Sequence, residues 1–253
     1  MIRTILAFLI AGLIGSGAVN LLFPPTPRVD SPLQDTVDAM SALTGSQQIP
    51  ENFMADEPLK LGGEFDPNQY FTVLTHLQME PGYTLDYVYY YDFMGGYPTL
   101  YARPLDQAPY QTVSGGSDDL PSDFYLNHVQ ADGTPESYFE LAVLDIMGQQ
   151  FYLHWHANYN DTQIIADSDG LARLLDGEFL GSALPADVRS QARQLDVQPV
   201  IEIGEKTVTV SFITFTNWGG FYRATYTMQR DFPHTILDVE WEELVPYDCG
   251  IMF

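Results

Sequence analysis

Cysteine is nearly missing from this chain of 253 residues. Cys249 is the only one, so no intramolecular disulfide can form. A thiolate nucleophile needs an electropositive neighbourhood, whereas "VPYDCGIMF" sets Asp248 beside the thiol, with Glu242 and Glu243 close in sequence; Cys249 is read as structural. Basic residues are also scarce. Ten Lys and Arg face 34 Asp and Glu, a formal net charge of -24. Binding to phosphates requires clustered Lys and Arg, and Arg103, Arg173, Arg189, Arg193, Arg223 and Arg230 are scattered without a stripe. The composition therefore argues against nucleic acid as a partner and against docking on anionic lipid headgroups. Several catalytic signatures are missing too: no His-Glu-x-x-His, no cysteine pair and no Gly-x-Ser-x-Gly elbow. Internal repeats are not evident. The neighbours Glu242 and Glu243 do not make an acid–base pair, which needs two carboxylates at a fixed separation across a cleft.

Apolar residues are plentiful, at 45% with 13% aromatic, ample for a packed core. The acidic surface around it is a solvated one, suited to solubility, to a salty or acidic milieu, or to loosely held divalent cations.

One long hydrophobic run opens the chain. In "MIRTILAFLIAGLIGSGAVNLLFPPTPR", residues 4–23 carry no charge, long enough to cross a hydrocarbon core as a helix. The stretch also fits a signal peptide, with Ser16-Gly17-Ala18 as a small-residue cleavage site. Apolar residues continue past that site through Val19, Leu21, Leu22 and Phe23, which favours an uncleaved anchor over a cleaved signal. The expected organisation is a membrane anchor or signal peptide at 1–23, a stiff Pro-rich tether at 24–31, and an extracytoplasmic domain at 32–253. Arg3 keeps the amino terminus cytoplasmic. The protein is then membrane-anchored or secreted.

Within 32–253 the pattern is α+β, a largely antiparallel sheet domain with a few short helices. Ser31 as a cap, Pro32 at the first helical position, and Leu33, Val37, Met40 and Leu43 at helical spacing predict one helix, stopped by Gly45. Strands are expected over 70–79, 83–93, 99–104, 124–130, 138–146 and 150–157, the fifth being open to a helical reading because Glu, Leu, Ala and Met favour one. Two helices follow, one through Leu171, Leu174 and Leu175 and another through Val188, Ala192 and Leu195. The clearest hairpin is "KTVTVSFITFT", "NWGG", "FYRATYTMQR". "TILDVEWEEL" alternates after it, and the helices at 167–195 would divide two sub-sheets.

Chemistry is suggested in three places. In "FYLHWHANYND" an extended strand puts His154 and His156 on one face, as two ligands of a zinc or iron site, with Asp161, His128 or Glu140 as the third. The same imidazoles also suit a polar-faced strand bonding to its neighbours. Asn158, Asn160, Asp161, Asp167 and Asp169 form an oxygen-rich stretch suggestive of calcium, although the spacing misses the helix-loop-helix register and turn and cap chemistry accounts for it. Asn160-Asp161-Thr162 is a glycosylation sequon. Finally, Tyr87, Tyr89 and Tyr91 share a strand face, a stacking surface for a sugar ring or protein partner if exposed and cross-strand packing if not; Trp218, in the turn beside Gly219-Gly220, is the other candidate ligand contact. The sequence thus points to a binding or assembly module of the extracytoplasmic side, with a protein or glycan partner. The alternative is a metal-dependent hydrolase in which His154 and His156 hold a metal that activates water.

Overall fold

The computed structural model describes residues 33–55, 58–92, 94–110 and 124–252; the expected anchor and the tether lie outside them. The domain is α+β with antiparallel sheets. Its helices are α1 (Leu33–Gly45), α2 (Pro135–Met147), α3 (Ser168–Asp176) and α4 (Ala186–Ala192). Its strands are β1 (Leu77–Met79), β2 (Tyr83–Asp92), β3 (Gly95–Pro104), β4 (Val129–Ala131), β5 (His154–Trp155), β6 (Gln163–Ile165), β7 (Val200–Ile203), β8 (Thr207–Thr216), β9 (Gly220–Gln229) and β10 (Ile236–Pro246).

The largest sheet runs β10-β9-β8, and the outer edge of β8 is shared end to end by two short strands. Here β7 pairs with residues 208–211 and β6 with 213–215. A second sheet is β2-β3-β5, and β1 pairs with β4 apart from both. Sheet membership changes between β5 and β6, ahead of the helical stretch at 167–195.

Residues of β8 show why both faces of the large sheet are covered. Val208, Val210 and Phe212 alternate with Thr207, Thr209 and Ser211, so the first half buries one face. From Phe212 to Phe215 the strand is buried on both sides, as a run without alternation predicts. The first face packs with α2, α1 and the β2-β3 hairpin in one core. The second, through Ile213, Phe215 and Phe221, packs with α3, α4 and the carboxy-terminal segment in another, which also takes in Cys249.

Four of the expected strands differ. Residues 138–146 take the helical of their two expected readings and belong to α2: Thr134 caps the helix by accepting the Ser137 N–H, and Pro135 takes the first turn, the position that tolerates its missing N–H. The helix is buried on nearly every side, so it has no polar stripe, and that is what let it pass for a strand. Residues 67–72 and 125–128 form 3-10 turns that shorten β1 and β4 to three residues each. The strand expected at 150–157 keeps only His154 and Trp155.

An aromatic cleft as the candidate functional site

The chain reaches β5 through two residues in the left-handed region, Tyr152 at φ 55° and Trp155 at φ 48°. Bulky residues hold such φ values only where the surroundings impose them, and here each is pinned. The Tyr152 carbonyl accepts the Tyr89 hydroxyl at 2.6 Å, and its own hydroxyl accepts the Phe65 N–H at 2.9 Å. The Trp155 carbonyl accepts Asn158 Nδ2 at 2.9 Å. The glycines of "MGGY", which begin β3 rather than forming only a turn, make room for this approach. A Cβ on Gly95 would stand 2.9 Å from the His154 carbonyl oxygen, and one on Gly96 2.5 Å from the Tyr89 hydroxyl.

The reversal at Trp155 overturns the simple strand geometry. After it the chain turns into a 3-10 segment, His156–Tyr159, so His154 and His156 do not alternate along one extended face. Trp155 itself is 48% exposed. The His154 ring lies against Tyr91 and the His156 ring stacks on Trp155 with centroids 5.3 Å apart. Asp161 accepts Asn217 N at 2.8 Å, Asn217 Nδ2 at 2.7 Å and the Thr216 hydroxyl, which ties the loop to the β8–β9 turn. The other third-ligand candidates lie elsewhere. His128 bonds Glu80 at 2.8 Å and stacks on Tyr83, and Glu140 accepts the His76 backbone N–H at 2.9 Å within α2. Among the described residues no group of three or more His, Cys, Asp or Glu is placed to hold a metal ion. Asp167, from the oxygen-rich stretch, caps α3 by accepting the Gly170 N–H.

The tyrosine row is likewise repositioned. Tyr87 and Tyr89 are buried, and Tyr91 packs against the same core, because β2 turns that face towards Phe53 and Phe151. Trp218 donates from Nε1 to the Ile251 carbonyl at 2.8 Å and meets Tyr159 edge-on at 4.7 Å.

What the structure does bring together is a series of rings along one surface: Trp155 on His156, His156 beside Tyr159 at 5.9 Å, and Tyr159 against Trp218. Beside it lies a cleft of about 350 Å³, lined by Tyr97, Pro98, Gln149, Leu153, His156, Ala157, Tyr159 and Asn160. Tyr97 and Tyr159 are both exposed. Among the described residues no Lys, Arg, Asp or Glu lines it. Gln149 is held by accepting the Leu100 N–H at 3.1 Å, which leaves its amide nitrogen as a donor. Tyr97 and Gln149 were not singled out in the sequence, and Asn160 was read there only as part of the oxygen-rich stretch and of the sequon; a double glycine at a strand start, marking close backbone approach, was the available signal. Comparison with protein-family models, with curated proteins and with solved structures found no match.

Proposed function

We propose that this chain is an extracytoplasmic binding module, membrane-anchored through its first 23 residues or secreted, that takes a neutral glycan in the aromatic cleft. The observation that carries this reading is the lining itself: aromatic rings, amides and small apolar side chains, with no Lys, Arg, Asp or Glu among the described residues, in a chain of net charge -24. An ionic ligand would lose its hydration there without gaining a counter-charge. A sugar ring offers C–H groups to the negative face of an aromatic ring and hydroxyls to amide donors and acceptors such as those of Gln149 and Asn160. The cleft is at the small end of the usual range for ligand sites, enough for one or two rings. The hydrolase alternative asks for a third ligand beside two imidazoles, and Asp161 is already committed to Asn217 and Thr216.

The test is titration of the full chain in detergent with a panel of neutral and acidic oligosaccharides by calorimetry. A neutral sugar is expected to bind, and Tyr159→Ala to weaken it about tenfold, or ~1.4 kcal/mol, without altering the unfolding midpoint. If no neutral sugar binds, or the Tyr159 variant binds as well as the parent, the reading fails.

A further inference from the structure

The apolar rim of the aromatic cleft is broader than its lining. Met94, Tyr97, Trp155 and Tyr159 are each at least 40% exposed, although they come from two separate segments. The pairing of Gly95 with Trp155 joins those segments, and the Met94 carbonyl accepts the His156 N–H at 3.3 Å. Soluble surfaces scatter such side chains singly, and a contiguous group marks an interaction site. Tryptophan and tyrosine, apolar rings with one polar atom, settle where hydrocarbon meets water. The carboxylates of these two segments are engaged. Asp92 accepts the Tyr90 hydroxyl at 2.6 Å and the N–H groups of Met94 and Gly95 at 2.7 and 3.1 Å, and Asp161 is tied to Asn217 and Thr216.

The chain enters the described fold on the same side. Gln34, in the first turn of α1, accepts the Ala166 N–H at 2.7 Å through Oε1, and it lines a hollow of about 270 Å³ together with Gln163 and Asn217. Asn217 neighbours Trp218, whose ring meets Tyr159. Gln163 stands three residues from Asn160 of the cleft, no more than about 11 Å along the chain. Only the nine residues 24–32 lie between the hydrophobic run and α1, and a chain of that length reaches at most about 30 Å. A domain of this size is roughly 45 Å across. A tether shorter than the domain is wide turns the face at its root towards the surface that holds it.

We propose that the cleft opens onto the bilayer that anchors the chain and takes the sugar headgroup of a neutral glycolipid there, with Met94 and Trp155 in the interface. This inference rests on the neutral-glycan reading and on the anchor at residues 1–23. A net charge of -24 keeps the domain off anionic headgroups, so the lipid is uncharged. Anchored beside its ligand, the domain meets headgroups at an effective concentration on the order of millimolar, enough to fill a shallow cleft whose affinity for a free sugar is weak.

The test uses the full chain reconstituted in phosphatidylcholine vesicles, with and without monoglucosyl or monogalactosyl diacylglycerol, and floated before measurement. Bromines on the acyl chains near the headgroup quench a tryptophan that touches them. Trp241, on β10, matches Trp155 at 48% exposure and serves as the internal control. Quenching is expected to fall by more than half in Trp155→Phe and to persist in Trp241→Phe. A hexosyl lipid is expected to shift the emission saturably in the parent and not in Tyr159→Ala. Quenching that is absent, or that both tryptophan substitutions reduce alike, overturns the proposal. A hexosyl lipid that acts no differently from phosphatidylcholine overturns it too, and the free-sugar titration then tells whether the neutral-glycan reading falls with it. Protein that does not float removes the anchor, and this inference goes with it while the free-sugar reading stands or falls by its own titration.

Discussion

Gly95 and Glu140 are the two residues whose environments make the sharpest demands. At Gly95, φ is 157° and any Cβ meets the His154 carbonyl at 2.9 Å and the Ala157 nitrogen at 3.2 Å. Gly95→Ala is therefore expected to lower stability by roughly 2 kcal/mol and to weaken ligand binding in the aromatic cleft, read by urea unfolding and calorimetry on one sample. Glu140, buried in α2, has its carboxyl pushed up to about 7 by burial, against the downward pull of the His76 N–H and imidazole. Its ordinary value is 4.5, so between these two pH values the folded state holds a proton that the unfolded chain has released. Its contribution to stability therefore falls as pH rises from 4.5 to 7 and stays low above, by about 3 kcal/mol in all. Glu140→Gln, which keeps an acceptor for the His76 N–H, should match the parent near pH 4 and exceed it at pH 8. Equal pH profiles of unfolding for the two proteins would show that the carboxyl is not proton-linked.

At the scale of elements, β10 illustrates how an irregularity reassigns a face. Simple alternation sets Ile236 with Asp238 and Glu240. The bulge after Ile236 pairs it with Met228 and pairs Val239 with Tyr226, so Ile236 and Val239 both reach the core while Leu237 stays outside. Among the described residues β10 pairs only with β9, which leaves its other edge a template for another strand. Between the bulges it carries Asp238, Glu240, Glu242 and Glu243, and two copies brought edge to edge would oppose carboxylates along that stretch. Glu240→Val with Glu242→Val is expected to convert the protein to a self-associating form, seen as a concentration-dependent sedimentation coefficient, while the parent does not shift. At the other extreme is α2, whose cap at Thr134 and buried circumference make it the helix on which the large sheet and the β2-β3 hairpin meet; there Phe139 packs edge-on against Phe212.

For the whole molecule the dominant number is the net charge of -24. Self-repulsion on this scale destabilises a compact state, and salt screens it over a Debye length of ~10 Å at 0.1 M. The thermal midpoint should therefore climb as sodium chloride is raised from low to moderate concentration. A falling midpoint would mean that attractive pairs such as Arg173 with Asp38 dominate the surface instead. No helix of the described residues is long and apolar enough to cross a membrane; the proposed membrane anchor is residues 1–23. Deleting them is expected to move the protein from the membrane to the soluble fraction.

The sequence by itself determined what short-range physics controls. The hairpin of β8 and β9, the helices α3 and α4, the stop of α1 at Gly45 and the acidic character of the surface follow from alternation, helical spacing, caps and turn residues, all acting within a few positions. Tertiary structure decided the rest. Residues 138–146, where only Glu140 and Asp145 interrupt the apolar run, carry no clear face to read, and burial on nearly every side goes with the helix that Thr134 and Pro135 start. Tyr87 and Tyr89 alternate as well facing in as facing out, and packing against Phe53 and Phe151 turned them inward. The outward swing of Trp155 depends on glycines 60 residues earlier. Such sites depend on which faces bury each other, a long-range choice that local periodicity does not encode.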